Sequence, residues 1–217
     1  MSRIRTSLSA LCAAMSFCAL TSSAHAETYE SLRGPGVTLF LRHAAAEWSG
    51  DGPEIGALEA AKLDAKACAS KRKLTEEGRL QAQAVASALQ SLELGPLDIQ
   101  TAGLCRAYET ARLLGANPRI VDGLTPMPGR APSLRAQGET IDKIVRGGEQ
   151  ARGLRVIVGD YEAMQALYGV TLAEGDGLVL KVQSGEVAAV ARISASDWAA
   201  LQPVASGERA TAGTRKF

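Results

Sequence analysis

Val37-Thr38-Leu39-Phe40-Leu41-Arg42-His43 is the stretch on which the reading of this chain turns. The run up to Leu41 is continuous and bounded upstream by Gly34-Pro35-Gly36, the pattern of a central strand covered on both faces; a strand with one wet face would alternate instead. The run stops on a guanidinium and an imidazole. Ligands in open α/β sheets bind outside the carboxyl ends of the strands, so Arg42 and His43 mark a candidate site as well as a strand end.

The histidine count sharpens this. The chain has two histidines, and the other, His25, falls within the first 26 residues, which have the form of a secretory signal. Arg3 and Arg5 precede an apolar stretch from Leu8 to about Leu20, and Ala24-His25-Ala26 is a small-x-small cleavage site. That stretch is shorter than the roughly 20 residues that span a bilayer, so cleavage is expected rather than anchoring, with no membrane span in the mature protein. The expected location is periplasmic or secreted. Removing residues 1–26 takes away two arginines and no acid, so the formal charge moves from +1 to −1. Nothing in that balance points to nucleic acid or to an anionic membrane surface. The 191 residues that remain suit a single domain over 27–202 followed by a flexible tail, 203–217.

Four cysteines become two, Cys68 and Cys105. In an exported protein an even pair invites a disulfide, here linking the long connection after the first strand to the neighbourhood of Arg106; two buried thiols or a metal site are the alternatives. Two thiols and one imidazole fall short of the usual zinc set, so no metal is expected.

Further along, Thr75 is a candidate N-cap with Glu76 and Glu77 in the first turn. Leu80, Ala84, Val85, Ala88, Leu89 and Leu92 recur at helical spacing, which predicts a helix over 76–92 that Gly95-Pro96 ends. Asp98 to Thr101 and Leu104 to Leu114 form a second strand-turn-helix unit, and Ile120-Val121 is another candidate strand. The Gly- and Pro-rich segment 123–138 is expected to be a surface loop or lid. A helix from about Glu139 to Gln150, a strand from Arg155 to Val158, and a helix from Glu162 to Tyr168 closed by Gly169 follow. Gly177 to Val182 and Val187 to Ile193 flank Gln183-Ser184-Gly185-Glu186, a hairpin signal. Alternating strands and helices predict an α/β fold, a three-layer α/β/α sandwich with a mostly parallel central sheet and an antiparallel element at one side.

The segment Leu39 to His43, then Leu74-Thr75-Glu76-Glu77-Gly78-Arg79-Leu80-Gln81-Ala82, then Cys105-Arg106-Ala107-Tyr108-Glu109-Thr110-Ala111, resembles the histidine phosphatase superfamily in order and spacing. The resemblance extends through most of residues 32–195, and the cysteine placement and the Trp48 and Trp198 contexts look most like its exported bacterial members. It implies the phosphoglycerate mutase-like fold, with no metal or organic cofactor. It also implies phosphomonoester hydrolysis through a phosphohistidine: His43 would attack phosphorus while Arg42 and Arg106 cradle the nonbridging oxygens. The physics agrees, since phosphoryl transfer needs positioning and cationic stabilisation of the equatorial oxygens, and guanidinium forks match phosphate. Arg106 also falls near a predicted helix start, which favours an anion.

The chain departs from the family in one place that matters. A second pocket histidine is usual after a late apolar strand; the corresponding stretch here is Val156-Ile157-Val158-Gly159-Asp160-Tyr161, with Asp160 in its place. Three readings stand open: a protonated carboxyl donating to a bound dianion, an acidic proton donor, or the mark of a site that binds without turnover. The glycine usual after the first histidine is Ala44, and Thr101-Ala102-Gly103 offers fewer side-chain donors than the serines usual there. Glu47, Asp51 and Asp122 are candidates for the acid that protonates the leaving group. The function expected is thus that of an exported phosphatase, possible impairment included, acting on a phosphorylated small molecule or a phosphate-bearing envelope component. The rival class is a pseudophosphatase that binds an anion without turnover.

Overall fold

The computed structural model describes residues 29–47, 68, 72–115, 117–125, 134–148 and 153–201. The expected signal segment 1–26, the expected tail from 203 and the candidates Asp51 and Trp48 lie outside these residues.

The first strand, β1, spans Thr38–Arg42, and the residues from Thr38 to Leu41 are at most 2% exposed. Its alternate side chains enter two different layers. Phe40 lines a small cavity with Ile141 and Ala163, whereas Leu39 lies on the other face with Trp198, where both crowd Gly177. Full burial of side chains this size is worth about 1.5–3 kcal/mol each, which commits β1 to the middle of the sheet.

After β1 come α1 (Glu76–Ser91), β2 (Leu97–Thr101), α2 (Cys105–Leu114), the two-residue β3 (Arg119–Ile120), a single 3-10 turn at Asp122–Leu124 and α3 (Leu134–Arg146). The chain continues through β4 (Leu154–Gly159), α4 (Glu162–Tyr168), β5 (Gly177–Gln183), β6 (Glu186–Ile193) and α5 (Ala195–Ala200). The six strands form one sheet in the order β3-β2-β4-β1-β5-β6. The first three pairings are parallel; β5 runs antiparallel to β1, and β6 to β5. α1 packs on α2 and α5, and α3 packs on α4, which gives helical layers on both faces of the sheet. Because β4 lies between β1 and β2, the carboxyl ends of three parallel strands meet at one edge, with Arg42 opposite Gly159 and Thr101 opposite Val158.

Two expectations need correction. The segment 123–138 is not a loop throughout: a 3-10 turn occupies its start, and α3 begins at Leu134, five residues ahead of the expected start at Glu139, and stops at Gly147-Gly148 rather than Gln150. The buried stripe of α3 starts at Gln137, a polar residue that apolar periodicity overlooks, followed by Gly138 packed against the end of the Leu167 side chain. α5 was not expected at all. Its signal is the capping box of Ser194 and Asp197, in which Asp197 Oδ2 accepts from Ser194 N at 2.8 Å. Trp198 anchors α5 in the core, 6.2 Å from the Tyr29 ring. The hairpin turn is as expected, with Ser184 and Gly185 both at positive φ, 51° and 84°. Among the described residues no helix is long and apolar enough to cross a membrane.

Cys68 and Cys105 form a disulfide with Cα atoms 5.6 Å apart, buried against Tyr108 and Ile120. It closes a loop of sequence separation 37 and fixes residue 68 beside the first residue of α2. In the chain-entropy account such a loop constrains the unfolded state by roughly 3–4 kcal/mol. Replacing both cysteines by serine should lower unfolding stability by about that amount in urea titrations; an unchanged midpoint would show that the link does not hold the fold.

Candidate active site

β1 delivers Arg42 and His43, α2 delivers Arg106 from its first turn, and β4 delivers Asp160 just beyond its end. The four side chains meet in one cleft. Asp160 Oδ2 lies 2.6 Å from Arg106 Nη2 and 3.5 Å from His43 Nε2, and its Oδ1 lies 3.7 Å from Arg42 Nε. Oδ1 also accepts from the Tyr161 backbone N–H at 2.9 Å. Arg42 is fixed from two further sides: Nη1 donates to the Leu172 carbonyl at 2.8 Å, and the guanidinium stacks 4.7 Å over the Tyr161 ring.

His43 is wholly buried. Its Nδ1 lies 2.8 Å from the Ala44 carbonyl oxygen, which can only accept, so Nδ1 carries a proton and Nε2 is the ring nitrogen left to meet a ligand. That Nε2 is buried without a hydrogen-bond partner among the described residues, and Asp160 at 3.5 Å is too distant to supply one. A buried, unsatisfied ring nitrogen beside a carboxylate that two guanidinium groups flank is available to act as a nucleophile toward phosphorus.

Burial opposes ionisation of Asp160. The neighbouring His43 and the Arg106 guanidinium, which hydrogen-bonds to it at 2.6 Å, outweigh that burial and hold its carboxyl far below the usual carboxylate range. Asp160 is therefore an anion in this cleft, which goes against the reading of it as a protonated donor. The carboxyl of Glu162, in the first turn of α4, is pushed upward, first by burial and then by the negative charge of Asp160. Among the described residues no group of three or more His, Cys, Asp or Glu is placed to hold a metal.

The sequence profile of the histidine phosphatase superfamily (branch 1) matches residues 38–125. A histidine-to-alanine variant of phosphoserine phosphatase from Entamoeba histolytica, crystallised with phosphoserine, superposes with a TM-score of 0.55 at 12% identity over 74% of this chain and 98% of its own. The chain carries the signature and the fold of the histidine phosphatase superfamily. The protein histidine phosphatase SixA, crystallised with tungstate, superposes with a TM-score of 0.53 at 12% identity over 74% of this chain and 98% of its own. The form is the phosphoglycerate mutase-like one, and at these identities the likeness is one of fold. No curated protein matches the chain in sequence.

The histidine phosphatase motif has a local physical cause, since its residues hold the backbone that follows His43. Thr75 caps α1, accepting from Gly78 N at 3.0 Å, and its own N–H donates to the Ala45 carbonyl at 3.0 Å. Gln81 Oε1 accepts from Ala45 N at 2.9 Å, and Thr110 Oγ1 from Ala44 N at 3.1 Å. Gly78 is required because any Cβ there would strike the Ala45 carbonyl.

The candidates for the leaving-group acid fare differently. Glu47 is exposed and contributes its backbone carbonyl, not its carboxylate, as acceptor for Arg72 Nε at 2.6 Å. Asp122 is exposed on the 3-10 turn, and no ion pair joins it to the cleft among the described residues. Asp51 lies outside the described residues. The residue that sequence reasoning missed is Glu174. Its carboxylate stands 3.9 Å from His43 Nδ1 and 3.1 Å from Arg72 Nη2. Its only sequence signal was the turn Glu174-Gly175-Asp176-Gly177 ahead of a strand.

Two outcomes follow. Gly78→Ala should cost roughly 1–3 kcal/mol through the clash with Ala45, even though alanine is the better helix former by about 1 kcal/mol; chemical denaturation reads this directly. Asp160→Asn should lower stability at neutral pH by on the order of 3 kcal/mol, because a buried guanidinium loses its counter-charge. The folded-state pKa of Asp160 lies below the unfolded value near 4, so its contribution is present above about pH 4 and lost as the pH falls below that. Melting temperatures between pH 7 and 2 should therefore fall less steeply for Asp160→Asn than for wild type; parallel curves would contradict the ion-pair assignment.

Proposed function

We propose that this protein is an exported phosphate-ester hydrolase of the histidine phosphatase type, in which His43 carries the phosphoryl group and Asp160 restrains turnover. The observation that carries the reading is the buried, unpartnered Nε2 of His43, 3.5 Å from the Asp160 carboxylate on which Arg42 and Arg106 converge. In the forward step Nε2 attacks phosphorus, the ester bond breaks, and the two guanidinium groups hold the nonbridging oxygens as charge shifts across them. Water then attacks the phosphohistidine and returns the electron pair to Nε2. The Nδ1 contact with Ala44 keeps the ring in the required tautomer and orientation throughout. Structural neighbours crystallised with phosphoserine and with 3-phosphoglyceric acid support a small phosphorylated molecule as substrate, and the form of residues 1–26 supports export.

A second reading, an anion-binding protein without turnover, is favoured by one feature. The Asp160 carboxylate already engages Arg106 and stands beside Nε2, where an entering phosphoryl group would lie. Phosphate release from p-nitrophenyl phosphate and a panel of sugar phosphates separates the two. Under the enzymatic reading wild type turns over, His43→Ala abolishes release, and Asp160→His raises it about tenfold or more, which requires only about 1.4 kcal/mol of added transition-state stabilisation. Turnover surviving His43→Ala would exclude a phosphohistidine, and absence of release from both wild type and Asp160→His would leave the binding reading.

A further inference from the structure

We infer that the cleft selects singly charged phosphoryl groups, those of phosphodiesters and phosphonate monoesters, over the doubly charged phosphoryl of an ionised monoester. The inference rests on the reading of the Arg42, His43 and Arg106 cleft as a phosphoryl site, and it refines the class of substrate.

Charge favours a monoanion. Arg42 and Arg106 bring two positive charges, and Asp160, with its side chain only 8% exposed, cancels one. Arg72 and Glu174, paired at 3.1 Å, cancel each other. Glu162, half-buried and within the field of Asp160, Arg106 and Arg42, lowers the potential further. Among the described residues the cleft therefore holds at most one uncompensated positive charge. The attraction of a ligand to a fixed potential grows linearly with ligand charge, whereas the cost of removing it from water grows with the square of that charge. The best-bound charge is then proportional to the potential. A carboxylate that halves the field of two arginines moves that optimum from two negative charges to one.

Shape favours it as well. A phosphoryl group attacked by Nε2 must present one face to Asp160 Oδ2, which stands 3.5 Å from that nitrogen. A monoester dianion carries charge on three nonbridging oxygens, and with two facing the arginines the third abuts a carboxylate. A diester or phosphonate monoester has two charged oxygens and a neutral third substituent. The oxygens match the two guanidinium groups and the neutral group meets Asp160.

The reaction balances with water alone. The Nε2 electron pair forms the N–P bond as the P–O bond to the leaving group breaks, and the departing oxygen takes a proton from solvent. Water then attacks phosphorus, the N–P bond breaks with its pair returning to Nε2, and the water proton passes to solvent. A diester yields a monoester and an alcohol.

The test compares p-nitrophenyl phosphate with methyl p-nitrophenyl phosphate and p-nitrophenyl methylphosphonate at about pH 7.5, well above the second phosphate ionisation near 6, each rate taken relative to its uncatalysed hydrolysis. Wild type should favour the two monoanions in kcat/KM by about tenfold or more, and Asp160→Asn should shift that ratio toward the dianion by a similar factor. Calorimetric competition between dimethyl phosphate and sulfate, which share a tetrahedral centre and differ in charge, gives a readout independent of turnover. If no ester is hydrolysed but dimethyl phosphate binds wild type more tightly than sulfate and Asp160→Asn reverses the order, charge selection stands and the hydrolase reading fails. If esters turn over with the dianion preferred by wild type, the inference is overturned whether or not any variant folds. A ratio that is the same in wild type, Asp160→Asn and Asp160→Ser overturns it as well.

Discussion

The carboxyl end of β1 is clamped at successive backbone groups, and the candidate site exists because of that clamp. Arg42 N donates to the Asp176 carbonyl at 2.9 Å and His43 N to the Gly159 carbonyl at 3.0 Å, while the His43 carbonyl accepts from Gly175 N at 3.0 Å. Ala44 and Ala45 are then held by Thr110, Gln81 and Thr75. Each such bond contributes only about 1 kcal/mol net. Their joint effect is geometric: β4, the turn before β5, α1 and α2 converge on four residues and leave them no alternative path. An imidazole can thus be buried completely with one nitrogen unsatisfied, which a less constrained backbone would relieve by rotating the ring toward a partner.

What was legible in the sequence follows from the range of each interaction. Strand β1, helix α1 with its Thr75 cap and the hairpin at Ser184-Gly185 are written in local pattern, and the structure places them within a residue or two of the reading. Arg42, His43, Arg106 and Asp160 were legible because a strand end and a motif mark each of them. Glu174 was not, since the contact it makes with His43 spans 131 positions and nothing in its own neighbourhood announces it. Glu47 illustrates the opposite failure: a carboxylate near the motif invited an acid-base role, yet its backbone carbonyl is the group that works in the Arg72 network. Helix α3 began early because its core face opens on Gln137 and Gly138, residues that polarity and flexibility both assign to a loop.

Asp160 stabilises the empty cleft. Without a ligand, two guanidinium groups aimed into one partly dry cleft would repel each other and pull the ends of β1 and α2 apart. A carboxylate between them removes that repulsion and adds attraction of a few kcal/mol at the effective dielectric of such a site. The same charge then stands in the way of a phosphoryl anion. Stability of the empty cleft and affinity for a highly charged ligand are set against each other by one side chain. A histidine in that position would do less for the empty cleft and more for the filled one, which is the sense in which the family's usual residue and this one differ.

The opposition has a further consequence for how the site meets its ligand. Asp160 is held by Arg106 at 2.6 Å and by the Tyr161 N–H at 2.9 Å, and it follows directly on β4, so it has little room to swing aside. Arg42 is equally confined by Leu172 and Tyr161. A cleft whose charged groups are all anchored cannot adapt its field to an incoming anion; the anion must suit the field. Discrimination here is therefore electrostatic before it is steric, and it originates in the short turn after β4, where one carboxylate stands among two guanidinium groups and an imidazole.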